Sequence, residues 1–385
     1  MSLDSPPPAA GPQVGADEWV ARQEHRREYL PSWLGTAQRA SEKLGWWPKL
    51  LLAGLAGLAL PLIGLGGFQL QVGIDSLVVA LLAVGLNIVV GWAGILDLGY
   101  IAFMGIGAYG FALLSSAQIG PAGIHLWAVV SIPIVMIAAA IMGLVIGWPS
   151  RRLIGDYLAI VTLFFGEAFV EFSNNVAPRT FGGPNGIPGL DPLRAFGISL
   201  TSNESYYYVL VIVLVATMAV LRLLETSRTG RAFQAVREDP LAAASMTIPV
   251  NRVKLMAFAF GAMVAALAGA IYAAQQISVY PTDFDTPLLI VVYAGLILGG
   301  AGSIAGAATG ALVVMVFLDG VLRSPTYSGY IFYGVILLTL VAKLRPWRRL
   351  GLVLGATVGL GFAAHAIAAA ISATAVAGCG RRPSS

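Results

Sequence analysis

Six carboxylates fall inside or beside long apolar stretches of this chain: Asp75, Asp97, Asp156, Glu167, Glu171 and Asp319. An acid at the centre of a membrane helix costs about 2.5–3.5 kcal/mol on insertion scales, so it usually faces a bundle interior or water, where it can pair, carry a proton or line a solute path. No Lys or Arg stands mid-stretch beside these six. Glu167 and Glu171 are four residues apart on one helical face, with Asn174 continuing it. Asp75, Asp156 and Glu171 read as interfacial acids near helix ends. Asp97 and Glu167 are open to both readings, interfacial acid or path lining.

Other chemistries lack their residues. The dipeptide Gly-Lys does not occur, so there is no phosphate-binding GxxxxGK[ST] loop. GxSxG and HExxH are also missing, which leaves no catalytic constellation. Cys379 is the one cysteine, and His25, His125 and His365 are far apart, so no disulfide and no zinc or other metal site is expected. Gly105-Ile106-Gly107-Ala108-Tyr109-Gly110 matches GxGxxG, but it sits in an apolar helix with no preceding strand. It reads instead as a small-residue face on which another helix can approach closely.

These residues need elements to hold them, and composition says which. The 385 residues are 57% hydrophobic and 11% charged, where a soluble domain carries roughly 25% charged residues. Mean hydropathy is +0.80, and 46 residues are Gly. This excludes a soluble enzyme, a disordered chain and a disulfide scaffold. The expected fold is all-α, a polytopic membrane bundle, because lipid leaves the backbone no partners outside its own helix. Apolar stretches long enough to span recur near 48–66, 71–90, 95–117, 124–148, 155–173, 204–224, 254–278, 284–301, 303–322 and 329–345. That makes about ten transmembrane helices. The stretch 350–377 is an eleventh candidate, with Gly351, Gly355 and Gly359 at four-residue spacing; lying at the interface is its alternative.

Charge orients the bundle. With the N-terminus cytoplasmic and strict alternation, 18 of the 23 Lys and Arg fall on the cytoplasmic side, as the positive-inside rule requires. The net charge of +4 therefore orients the chain and implies no nucleic acid. The expected layout is a cytoplasmic N-terminal extension over 1–46, a transmembrane domain over 47–347, and a C-terminal hydrophobic segment and tail over 348–385.

Two loops stand out. In 225–253, on the cytoplasmic side, Asp239-Pro240 is a helix start: Asp accepts from free backbone N–H groups and Pro suits the first helical position. A short Ala-rich helix over Leu241–Met246 is expected, stopped by Pro249, with a second over Arg231–Val236. Docking into a partner's groove and an ordinary solvated loop are both open. In 173–204, on the outer side, Thr180-Phe-Gly182-Gly183-Pro-Asn185-Gly186-Ile187 is turn chemistry. A loop of that length is usually functional or disordered.

Five stretches, in order, carry a resemblance. Gly91-Trp-Ala-Gly-Ile-Leu-Asp97-Leu-Gly-Tyr100-Ile-Ala-Phe103-Met-Gly105-Ile-Gly107-Ala-Tyr109 resembles the Gly-rich motif of branched-chain amino acid ABC permeases of the LivM type. Tyr157–Glu167 is similar to that family's next motif, Gly182–Ile187 to its outer-loop GGxxGI signature, Gly230–Ala244 to its cytoplasmic coupling loop, and Gly299–Gly310 to its LGGxGSxxG stretch. The likeness covers about 50–347. Thr247 follows Met246 where the family usually has Gly, and the terminal RPxGL is here Arg345-Pro-Trp-Arg-Arg-Leu350.

The resemblance implies a permease subunit of an ATP-driven importer in a bacterial cytoplasmic (inner) membrane. It implies a homologous second permease, two cytoplasmic ATP-binding subunits that bind and hydrolyse the ATP, and an external solute-binding protein. The chain itself would be no enzyme and hold no cofactor. Arg231, Arg237, Glu238, Asp239, Pro240, Leu241, Ala242, Ala243 and Met246 would couple it to the ATPase. Thr180, Gly182, Gly183, Asn185 and Gly186 would shape the external loop. Branched-chain or other apolar amino acids are the implied solutes, with urea and amides as alternatives. For a zwitterion with an apolar side chain, polarity and helix position nominate Asn87, Asp97, Tyr100, Phe103, Thr162 and Glu167 as path lining. The rival from another class is a proton-coupled secondary transporter that uses Asp97 or Glu167.

Overall fold

The computed structural model describes residues 45–64, 66–116, 126–150, 156–176, 178–195 and 198–323. The expected spans 329–345 and 350–377, nearly all of the N-terminal extension and the C-terminal tail lie outside the described residues.

The described chain is helical. The helices are α1 (Trp46–Ala59), α2 (Gly67–Leu86), α3 (Tyr100–Ser115), α4 (Ala128–Ser150), α5 (Asp156–Asn175), α6 (Pro178–Phe181), α7 (Asn203–Thr226), α8 (Arg228–Glu238), α9 (Pro240–Ser245), α10 (Val250–Gln276), α11 (Thr286–Gly299) and α12 (Ile304–Met315). A π-helical turn extends α2 through Asn87–Trp92, and another extends α12 through Val316–Leu322. Four two-residue strands lie in loops: β1 (Ile187–Pro188), β2 (Arg194–Ala195), β3 (Ile198–Ser199) and β4 (Ser278–Val279). β1 pairs antiparallel with β4, and β2 with β3.

Seven helices among the described residues are long and apolar enough to cross a membrane. The two expected spans that fall short do so for physical reasons. The 48–66 stretch is α-helical only to Ala59, where a 3-10 turn with Pro61 in its first turn takes over. The 95–117 stretch has a 16-residue helix, α3, about 24 Å long against a hydrocarbon core of about 30 Å. Its first residues belong to an irregular segment, 93–99, in which Asp97 is buried and Leu96 is exposed.

α2 is the core. Within its spanning window 89% of residues are buried, against 22% in α4 and in α5. It is ringed by α7, α10, α11 and α12, while α10 also packs on α3 and α4. The crossing of α3 and α10 is backbone against backbone: a β-carbon at Gly107 would stand 2.3 Å from the Ala266 carbonyl oxygen, and one at Gly269 would stand 2.0 Å from that of Met104. The GxGxxG stretch is thus a helix-packing face. Gly295, Gly299 and Gly310 do the same between α11 and α12.

Candidate functional site

The basic loop after α7 folds as two short helices, α8 and α9. Ser227 caps α8, accepting from the Gly230 amide at 3.3 Å. α8 runs longer than the sequence suggested and buries Phe233 and Val236. Asp239 then caps α9, accepting from the Leu241 and Ala242 amides at 2.8 and 3.1 Å, with Pro240 at the first helical position. Ala243 is buried, whereas Leu241 and Met246 are 83% and 76% exposed. The turn that follows places Thr247 at φ 65°. That conformation favours glycine, which is the residue the resembling family carries there. Pro249 is the N-cap of α10 and so starts a helix besides ending one.

The arginines of this loop are exposed, yet two of them bond back to the backbone. Arg231 donates to the Thr226 carbonyl at 2.8 Å, and Glu238 is exposed. Arg237 is also exposed, and its guanidinium reaches across to donate to the Gly91 carbonyl. Gly91 lies against Gly302: the Gly302 amide donates to Asn87 Oδ1 at 2.7 Å, and Trp92 Nε1 donates to the Gly302 carbonyl at 3.2 Å. Gly91, Trp92, Gln234, Arg237, Glu238 and Gly302 line a cavity of ≈ 400 Å³ there. Trp46, Lys49, Arg222, Glu225 and Ser303 line another of ≈ 540 Å³ at the same end, where Arg222 pairs with Glu225 at 2.6 Å.

The 93–99 segment carries the next layer. Asp97 is 1% exposed. Its Oδ1 accepts from the Gly99 amide at 3.0 Å, and its Oδ2 has no hydrogen-bond partner among the described residues. The Tyr293 hydroxyl donates to the Asp97 carbonyl and accepts from its amide. Thr162 accepts from the Leu98 amide at 3.0 Å and donates to the Ala159 carbonyl at 3.1 Å. Tyr100 donates to the Gly261 carbonyl at 3.3 Å, and Phe103 packs against Phe165 with ring centroids 5.5 Å apart.

Of the six nominated lining residues, Asn87, Asp97, Tyr100, Phe103 and Thr162 are therefore buried: Asn87, Tyr100 and Thr162 bond to distant backbone, Asp97 bonds Gly99 beside it, and Phe103 packs on Phe165. Only Glu167 is exposed, and it accepts from the Thr286 hydroxyl at 2.6 Å. It shares its face of α5 with exposed Tyr157, Ile160 and Phe164. Glu171 bonds Asn175 at the helix end, Asp75 bonds Gln71, and Asp319 pairs with Arg323 at 2.8 Å. Tyr293, Trp92 and Gly302 were not legible as a group, because their partners lie some two hundred residues away in sequence.

At the opposite end Gly182–Ile187 is a tied turn. Thr180 ends up in α6, and Gly183–Asn185 form a 3-10 turn between Gly182 and Gly186, at φ 75° and 64°. A β-carbon at Gly186 would meet the Val279 carbonyl oxygen at 2.1 Å, so glycine lets β1 close on β4 at the end of α10. Among the described residues no group of acids, histidines and cysteines could hold a metal.

Comparison with known proteins places this arrangement. The family described as branched-chain amino acid transport system / permease component matches residues 69–341. The chain is 34% identical over 301 residues to the high-affinity branched-chain amino acid transport system permease protein LivM of Escherichia coli, covering 72% of this chain and 68% of that protein. It is 28% identical over 279 residues to the permease protein LivH of the same kind of system in Salmonella typhimurium, covering 68% and 88%. It is also 27% identical over 239 residues to the autoinducer 2 import system permease protein LsrC of Salmonella paratyphi B, covering 56% and 64%. No solved structure matches. The chain is a multi-pass membrane protein, and it belongs to the branched-chain amino acid transport system permease family.

Proposed function

We propose that this chain is the permease subunit through which an ATP-driven importer carries branched-chain or other apolar amino acids across the cytoplasmic membrane. The observation that carries the reading is the α8–α9 pair. A capped six-residue helix at the basic end presents Leu241 and Met246 to water. Large apolar side chains held out on a rigid, charged loop suit a groove on a partner. That partner is an ATP-binding subunit, one of two, which supplies the nucleotide chemistry this chain lacks. Arg231, Glu238, Asp239, Pro240, Ala242 and Ala243 frame the contact.

The rest of the reading follows from it. The N-terminus and the basic end are cytoplasmic, and the bundle has ten spans, the tenth over 329–345, with 350–377 crossing or lying at the interface. Residues 1–46 and 348–385 flank the permease domain, the 225–253 loop couples it, and the 173–204 loop meets an external solute-binding protein. A homologous second permease completes the pair; relatives of this chain include both LivM and LivH proteins. The solute path runs along the α5 face, because an exposed acid such as Glu167 on an apolar helix cannot rest against lipid. Asn87, Asp97, Tyr100, Phe103 and Thr162 stand behind that face and set its shape.

Energy source tests the reading. Labelled leucine uptake by cells making the whole transporter should stop when ATP is depleted and persist under a protonophore while ATP is maintained. Uptake that follows the proton gradient instead would make the chain a secondary transporter.

A further inference from the structure

Two helix C-termini converge at the basic end. The π turn of α2 ends at Trp92, and α11 ends at Gly299. Helix C-termini present unpaired carbonyls and partial negative charge, which a cation relieves. The cation there is Arg237, which comes from neither helix. Two glycines, Gly94 and Gly302, make room for it. A β-carbon at Gly94 would stand 2.9 Å from Arg237 Cγ, and one at Gly302 would stand 2.9 Å from Arg237 Nη1. A β-carbon at Gly91 would stand 2.7 Å from the Gly302 amide nitrogen. A side chain at Gly94 or Gly302 would crowd the arginine, and one at Gly91 would press on Asn87 and on Gly302, beside which the Gly91 carbonyl lies.

The joint is bonded onward. Asn87 and Trp92 hold Gly302 from both its amide and its carbonyl. The Ile95 amide bonds back to the Val89 carbonyl, closing the chain as it leaves α2. Tyr293 ties Asp97 to α11, and Thr162 ties Leu98 to α5. α8 itself packs on α7, α10 and the π turn. Gln234, Arg237 and Glu238 of α8 all border the meeting point of α2 and α11, and Arg237 bonds to it through the Gly91 carbonyl.

We propose that Arg237 is a latch: it holds the Gly91 carbonyl against Gly302 and so passes movement of α8 and α9 to α2, α11 and, through the 93–99 segment, to α5. It is a positioning residue, acting through the joint and not on the solute. This deepens the importer reading and rests on it for the direction of the movement; the latch itself is a property of the chain.

The test uses the full chain in its assembled transporter, in lipid nanodiscs, with Arg237→Ala, Arg237→Lys and Arg228→Ala. Arg228 is exposed on the same helix and serves as the control for lost charge. Amide hydrogen exchange is read over 87–99 and 299–303. In Arg237→Ala, exchange there should rise about five- to tenfold, the loss of one charge-assisted bond, while α4 and α12 stay protected. Arg237→Lys should recover part of the protection, and Arg228→Ala should match wild type. In proteoliposomes, leucine moved per ATP hydrolysed should fall about tenfold in Arg237→Ala, a coupling loss of the usual allosteric size. The ATP-binding subunits should still co-purify with it. Unchanged exchange at the joint would overturn the latch, as would loss of the ATP-binding subunits, which would make Arg237 a docking residue. If wild-type transporter moves no leucine on ATP, the importer reading fails instead, and the exchange result alone then decides the latch.

Discussion

Tyr293 and Asp97 exchange two hydrogen bonds. The Tyr293 hydroxyl donates to the Asp97 carbonyl at 2.7 Å and accepts from the Asp97 amide at 3.2 Å. One phenol thus satisfies both backbone groups of a residue that has no helix to satisfy them. Tyr293→Phe should leave that amide and carbonyl unpaired at a buried site, a cost of about 1–3 kcal/mol. A clearly lower melting temperature in detergent, with the packed aromatic ring retained, is the expected result. An unchanged melting temperature would mean that the 93–99 segment is held by other means.

Asp239 carries the start of α9. Replacing an N-cap acid by Ala costs about 1 kcal/mol or somewhat more, and α9 is six residues long with little else to hold it. Asp239→Ala should insert normally and lose most solute uptake, whereas Asp239→Ser, which can still cap, should keep most of it. Equal uptake in the two variants would remove the α9 cap from the mechanism.

Thr247 is, with Ile277, one of two β-branched residues held at positive φ among the described residues. A β-branched side chain at φ 65° is disfavoured by roughly 1–2 kcal/mol relative to glycine. Thr247→Gly should therefore raise thermal stability by about 1 kcal/mol, partly offset by glycine's extra freedom in the unfolded chain. Thermal unfolding of the purified protein checks this, and a loss of stability would contradict it.

Gly269 lets α3 and α10 cross backbone against backbone. Gly269→Leu should prevent α3 and α10 from meeting and cost well above the ~1–3 kcal/mol of ordinary overpacking, because the obstacle is backbone. Little monodisperse protein should be recovered. Gly67→Ala, at a site with nothing within 4 Å, should behave as wild type.

Much of this was legible in the sequence where the signal is local. Gly105, Gly107 and Gly110 announced a packing face. Asp239-Pro240 announced a helix start, and Gly182–Ile187 a turn. What stayed hidden depends on partners distant in the chain. Nothing near Arg237 says that its guanidinium seeks Gly91, and nothing near Thr162 says that it receives the Leu98 amide. The helix within 95–117 is shorter than hydropathy suggested for a related reason. Hydropathy cannot tell a helix from an irregular segment whose backbone is satisfied by Tyr293, Thr162 and Asp97 itself. The π turns at Asn87–Trp92 and Val316–Leu322 shift the helical period at the ends of otherwise regular stretches. Glu167 was legible as an acid needing a reason, and its exposed face is where that reason lies.

The central claim is tested most directly by uptake of labelled leucine in the native cell, with and without this gene, against unlabelled valine, acidic amino acids and urea as competitors. The account predicts that deletion lowers uptake, that the restored gene recovers it, and that only the branched or apolar amino acids compete. Leucine uptake unchanged by deletion, or competition by urea alone, would contradict the assigned solute class.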